Sequence, residues 1–235
     1  MQSLTATTLE AISLLLSGDA KLWSIIAVSF STTLKAILIA TPVAFVVGCA
    51  LTLLRFPGRW ALISLFNSLL SVPTVVVGLL LYLLLSRSGP FGDLRLLFTD
   101  TAMALGQIAL AFPVLVAMSL ACFKGADRSA WETARTLGAS PLRAFGTLIL
   151  ELRYGLAAAC IAAYGRIISE VGCSMMVGGN ILNHTRNIPT AIALETSKGE
   201  FAQGIALGLV LLLLALGLNI CIAYLHRRVE GRAEC

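Results

Sequence analysis

The chain has 235 residues, of which 58% are hydrophobic and 12% charged, with a net charge of +5 and a mean hydropathy of +0.91. Soluble domains carry about 25% charged residues, so this composition excludes a water-soluble enzyme domain and a disordered chain. The apolar residues fall into runs of ~17 to 25, the length that crosses ~30 Å of hydrocarbon as helix. The fold class is therefore an all-α membrane protein, a polytopic bundle of about five transmembrane helices.

In chain order, residues 1–30 read as an amphipathic lead on the outer side. Residues 1–17 have no basic head and carry Glu10 inside the apolar stretch, unlike a cleaved signal peptide. The first predicted span covers residues 31–54 and stops at Arg55-Phe56-Pro57-Gly58-Arg59. The second covers residues 60–85 and contains Pro73 and Gly78, which predict a kink satisfied by neighbouring helices. The third covers residues 102–123 and includes Pro113, the fourth residues 154–171, and the fifth residues 205–224. Residues 172–204 are too polar and glycine-rich for a plain span. The membrane domain extends over residues 31–228, with a long loop at 124–153 and a short tail at 229–235.

Basic residues set the orientation. The loops after the first and third spans and the C-terminus hold ten of them: Arg55, Arg59, Lys124, Arg128, Arg135, Arg143, Arg153, Arg227, Arg228 and Arg232. The other side holds five: Lys21, Arg87, Arg95, Arg186 and Lys198. The richer side is cytoplasmic by the positive-inside rule, which puts the N-terminus outside and the C-terminus inside. Lys35 and Arg166 fall within or at the ends of spans. The positive charge is explained by topology, so no nucleic-acid partner is invoked.

The six cysteines form no CxxC pair, and at least three sit in strongly apolar stretches, where cysteine behaves as a small hydrophobe. Neither histidine belongs to a ligand-spaced cluster, so no metal site is expected. An intramembrane enzyme needs a nucleophile with a base, or paired acids, at depth. His184 and His226 lie at or beyond span ends, Asp93 and Asp100 lie in an outer loop, and no catalytic residue is assigned. No internal repeat suggests the two halves of a secondary transporter.

The loop at 124–153 is long for a compact bundle, and such loops are usually functional or disordered. Asp127 or Ser129 can cap a helix over residues 130–137, Gly138 can supply a left-handed C-cap, and Ser140-Pro141 can start a second helix. The expectation is a compact knob on the cytoplasmic face, against the alternative of a solvated amphipathic loop. Glu132-Thr133-Ala134, three residues, then Gly138, then nine residues to Leu148-Ile149-Leu150-Glu151, resembles the EAA loop of ABC-transporter permeases. Glu132, Ala134, Gly138 and Leu150 match that pattern, whereas Thr133, Leu148 and Glu151 depart from it. The resemblance implies a type I importer permease fold whose coupling helix docks on a cytoplasmic ATPase subunit. It also implies a second copy of the chain and an extracytoplasmic binding protein as partners. No Gly-x-x-x-x-Gly-Lys-Ser/Thr loop occurs, so ATP is expected on the partner subunit and no cofactor on this chain.

The polar stretch carries the candidate pathway. Arg166 and Glu170 are four apart and share a helix face. An unpaired charge at mid-bilayer costs ~2.5 to 3.5 kcal/mol on insertion scales, so they form either a structural salt bridge or the border of a pathway or gate. Gly172, Gly178 and Gly179 let the chain break from helix where protein or a water-filled cavity lines it. An oxyanion path needs hydrogen-bond donors without a deep charge trap, and Ser169, Ser174, Asn180 and Thr185 supply them. Arg186 and Lys198 can attract an anion or, as the preferred reading, salt-bridge a docking partner. Ser169-Glu170-Val171-Gly172, Met175 to Asn180 and Thr185 to Ile192 resemble the tungstate-type permeases. Molybdate and sulfate permeases share a similar skeleton with different residues between. The resemblance implies tungstate import across a prokaryotic cytoplasmic membrane, with molybdate or sulfate as the alternative. A scaffold without transport would have no evident use for the Glu132–Gly138 knob.

Overall fold

A computed structural model describes the backbone of residues 4–125 and 129–233. Side chains at 1–7, 10, 126–130 and 228–235 lie outside the described set, and with them the expected caps Asp127 and Ser129, Glu10, and Arg128, Arg228 and Arg232 of the basic count. Helix α1 covers Leu4–Leu16 and α2 Ala20–Leu53. Asp19 starts α2 by accepting the Leu22 N–H at 2.8 Å, an N-cap. The helix therefore begins eleven residues before the expected span start at Ser31. At 34 residues it is ~51 Å long and overhangs a ~30 Å hydrocarbon layer. Its far end is closed by Leu54, whose N–H donates to the Ala50 carbonyl, and by Arg59, whose Nε donates to the Leu51 carbonyl at 2.5 Å, while Gly58 at φ +89° turns the chain into the next helix.

Helices α3 (Arg59–Leu69) and α4 (Thr74–Leu85) meet at a 100° bend. The expected kink at Pro73 is thus a full corner. Helix α5 spans Asp100–Gly125, α6 Ser129–Thr136, α7 Pro141–Glu151 and α8 Arg153–Ile168, with α7 and α8 bent by 76°. The short α9 (Gly172–Gly178), α10 (Ile188–Lys198) and the long α11 (Phe201–Ala233) complete the chain. Helices α2, α5 and α11 are long and apolar enough to cross a membrane, and counting each bent pair as one span gives five.

The core is a seam of small residues. Ala36, Ala40 and Ala44 of α2 pack with Ala111 and Leu115 of α5 and with Ala163 and Ile167 of α8. Gly48 of α2 abuts Ser119 of α5 so closely that a methyl group there would collide with its hydroxyl. Backbones that approach this closely gain packing that lipid cannot offer. Lys35, the charge expected within or at the end of the first span, lies 2.5 Å from Asp100 at the start of α5, and Asp100 also accepts the Thr32 hydroxyl. Toward the start of α2 a second cluster joins Ala11 of α1, Leu22 and Ile25 of α2, Ile188 and Ala191 of α10, and Leu207 of α11. The molecule thus has one face carrying α6 and α7 and an opposite face carrying α1 and α10.

Candidate functional site

The first candidate region is the α6–α7 knob. Gly138 takes φ +83°, the left-handed C-cap that a glycine adopts without strain. Its N–H donates to the Arg135 carbonyl at 3.1 Å and the Ala139 N–H to the Ala134 carbonyl at 2.9 Å. Arg135 folds back onto the Ala139 carbonyl at 2.8 Å. Ser140 then caps α7 by accepting the Arg143 N–H. Trp131 and Ala134 form the half-buried side of α6, and Trp131 packs against the cluster of Cys49, Phe123, Leu148 and Leu156. On the other side Glu132 is exposed, with Leu137 at 83% and Leu142 at 79% exposure. The motif residue Leu150 also points outward, at 65% exposure, while Leu148 is buried.

The second region surrounds α9. Arg166 reaches Glu170 at 3.4 Å, and the side chains are 51% and 5% exposed. Glu170 uses its other oxygen to accept the Cys173 N–H at 3.3 Å, so one carboxylate ties the end of α8 to the start of α9. Ser169 is exposed but bonds back to the Gly165 and Arg166 carbonyls at 3.2 and 3.1 Å. Ser174 is buried, and its hydroxyl has no partner among the described residues. Asn180, at φ +53°, donates to the Thr190 carbonyl at 3.4 Å while its Oδ1 is buried without a partner among the described residues. Thr185 is fully buried and its hydroxyl works twice, donating to the Gly178 carbonyl at 2.5 Å and accepting the Ile181 N–H at 2.9 Å. It staples the turn after α9 and has no donor to spare.

Glycines seat α9. A methyl on Gly78 of α4 would lie 2.8 Å from the Cys173 Cα, and one on Gly106 of α5 would lie 2.6 Å from the Cys173 Sγ. A methyl on Gly178 would strike Met103 Sδ at 2.7 Å. Beside Gly106, Gln107 is buried with its Oε1 unpartnered among the described residues, a polar group absent from the candidate pathway residues of the sequence.

Sequence reasoning also missed Glu195, 2% exposed on α10. It pairs with Lys198 at 3.3 Å, Lys21 at 3.7 Å and Arg186 at 3.8 Å, and Arg186 further donates to the Asn180 carbonyl at 3.2 Å. The two cations expected to meet an anion or a docking partner are therefore held by a carboxylate of their own chain. The local signal was an acid directly after the apolar run Ala191-Ile192-Ala193-Leu194. Among the described residues no group of three His, Cys, Asp or Glu side chains is placed to hold a metal ion.

Comparison with known proteins matches residues 40–232 to the family described as binding-protein-dependent transport system inner membrane component. A tungstate uptake system permease protein of Campylobacter jejuni is 49% identical over 158 residues, 67% of this chain and 66% of that protein. A probable anion ABC transporter permease protein of Haloferax volcanii is 40% identical over 89% of this chain and 92% of its own length. A tungstate uptake system permease protein of Peptoclostridium acidaminophilum is 38% identical over 90% and 93%. With a family match that spans most of the chain, on a bundle of helices long and apolar enough to cross a membrane, the protein belongs to the inner membrane components of binding-protein-dependent transport systems.

Proposed function

We propose that two copies of this chain form the membrane pathway of an ATP-driven importer for tungstate, with molybdate or sulfate as the alternative cargo. The observation that carries the pathway is Arg166. It stands thirteen residues after Arg153 on one helix, ~20 Å along the axis, yet half its side chain is exposed in the single chain. A guanidinium at such depth must face water or protein, and a second copy around an aqueous route supplies both. A symmetric pair is the commonest closed assembly.

In this reading Arg166, Ser169, Glu170, Ser174 and Asn180 border the route or its gate, with Thr185 fixing the turn that presents them. Glu132, Ala134, Gly138 and Leu150 belong to the coupling surface, where a cytoplasmic ATPase subunit grips the knob at Leu137 and Leu142. ATP is bound and hydrolysed on that subunit. A binding protein delivers the anion to the opposite, outer face, the basic face being cytoplasmic by its surplus of Lys and Arg. Tungstate is preferred because two relatives across most of the chain carry that name.

The test is reconstitution of the permease with its ATPase and binding protein in proteoliposomes. ATP-dependent uptake of tungstate exceeding that of molybdate and sulfate, reduced at least tenfold by Arg166→Ala, is the expected result. Assembly and ATP hydrolysis without uptake of any oxyanion would refute the reading.

A further inference from the structure

Helix α9 cannot hold its place by itself. It has seven residues, too few for a helix that is stable alone, and its last carbonyls have no partner within the helix. Other segments supply those partners. The Thr185 hydroxyl donates to the Gly178 carbonyl, and the Phe98 N–H, from the loop between α4 and α5, donates to the Val177 carbonyl at 2.9 Å. The Phe98 ring lies over Gly179, where an added methyl would meet its Cδ1 at 2.7 Å. It also leans on Tyr82 of α4, with ring centroids 6.3 Å apart.

The loop is itself anchored on the end of α4. The Phe91 N–H donates to the Leu84 carbonyl at 3.0 Å, and a methyl on Gly92 would stand 2.5 Å from the Ser86 carbonyl oxygen. Phe98 nevertheless takes φ +65°, a backbone region that bulky residues rarely occupy. Among the described residues four non-glycine positions have positive φ: Arg95, Phe98, Asn180 and Asn183. All four lie in the two segments that meet at the end of α9, the α4–α5 loop and the turn between α9 and α10. Asparagine tolerates that conformation, whereas phenylalanine is strained in it. Such strain persists only where the surroundings impose it, and it clusters at clamps and switches. Here the hold is shallow, one hydrogen bond and a ring that is 42% exposed.

We infer that Phe98 is a positioning residue for import, a latch that clasps the end of α9 in the resting complex and lets go in each transport cycle. Release relieves the backbone strain and frees the segment that carries Ser174 and Asn180. The ring settling back on Gly179 restores the clasp. The inference rests on the transport reading above and names the contact whose opening unseats α9.

Cys173 is a native reporter, 1% exposed on α9 and pressed by Gly78 and Gly106. The complex of permease, ATPase and binding protein in lipid nanodiscs is treated with a water-soluble methanethiosulfonate, and labelling is located by peptide mass spectrometry. Without nucleotide, Cys173 should be as protected as the buried Cys49 of α2. During ATP turnover with tungstate its labelling should rise at least tenfold while Cys49 stays protected. Phe98→Gly, which removes ring and strain together, should label within twofold of that raised level without nucleotide, and Phe98→Tyr, which keeps the ring, should behave as the unaltered chain. Protection of Cys173 throughout turnover overturns the inference whatever the variants do, and it is the result expected if Phe98 only supports the fold. A Phe98→Gly complex that assembles and stays protected at rest overturns it as well. Oxyanion uptake by the same complex in proteoliposomes separates the two readings. Uptake with Cys173 protected removes the latch alone, and nucleotide-driven labelling without uptake counts against the transport reading alone.

Discussion

Replacing Gly78 by alanine tests how tightly α9 is seated. The new methyl would stand 2.8 Å from the Cys173 Cα and 3.1 Å from the Met176 Cβ. Comfortable carbon contacts are ~3.5–4.0 Å, so α4 and α9 must part by about 1 Å. The obstacle is backbone, and Cys173 is pressed from a second side by Gly106, which leaves no rotamer to relieve the strain. Overpacking of this kind costs about 1–3 kcal/mol, against a gain of about 1 kcal/mol from replacing glycine within a helix. The net loss of up to about 2 kcal/mol corresponds to a shift of up to ~30-fold between competent and displaced α9. Gly217→Ala on α11 is the control, since a methyl there meets nothing within 4 Å and keeps only the helical gain. Thermal unfolding of the solubilised complex and initial rates of oxyanion uptake should both fall for Gly78→Ala and hold for Gly217→Ala. Equal behaviour of the two variants would refute the tight seating.

Glu195→Ala should destabilise the chain by about 3 kcal/mol, because it strands the nearly buried Arg186, whereas the half-exposed Lys21 and Lys198 contribute little. Glu195→Gln should lose less, and thermal unfolding of both variants ranks them. Thr185→Val removes an acceptor for the Ile181 N–H and a donor to the Gly178 carbonyl, a cost of about 2 kcal/mol read by the same unfolding assay. Leu142→Asp lies on an exposed surface, so the permease should keep its stability to within about 0.5 kcal/mol. Co-purification of the ATPase with that variant should nevertheless be lost.

What could be read from the sequence was local. Gly138 and Ser140-Pro141 announce their caps because a helix end is decided by one or two residues, and both form as expected. Apolar runs locate the membrane helices for the same reason. Features that depend on distant partners were hidden. Pro73 predicts a kink, but the 100° corner goes with the packing of α4 on α9 through Gly78, ninety-five residues from Cys173. The early start of α2 was masked by Lys21, Ser24, Ser29 and Thr32, polar residues with partners elsewhere in the chain: Lys21 pairs with Glu195, Ser24 bonds Asn183, Ser29 accepts the Ile188 N–H at 2.6 Å, and Thr32 bonds Asp100. Glu195 was invisible because Lys21 lies at the other end of the chain. Thr185 reads as a free donor in one dimension and is fully spent in three.

The most direct measurement is cellular tungsten and molybdenum content in a strain lacking this chain and in one carrying Glu132→Lys, each supplied with both oxyanions at low concentration. Tungsten should fall in both strains while molybdenum holds, joining cargo and coupling loop in one result. Unchanged tungsten in both strains would contradict tungstate import, and loss in the deletion strain alone would remove Glu132 from the coupling surface.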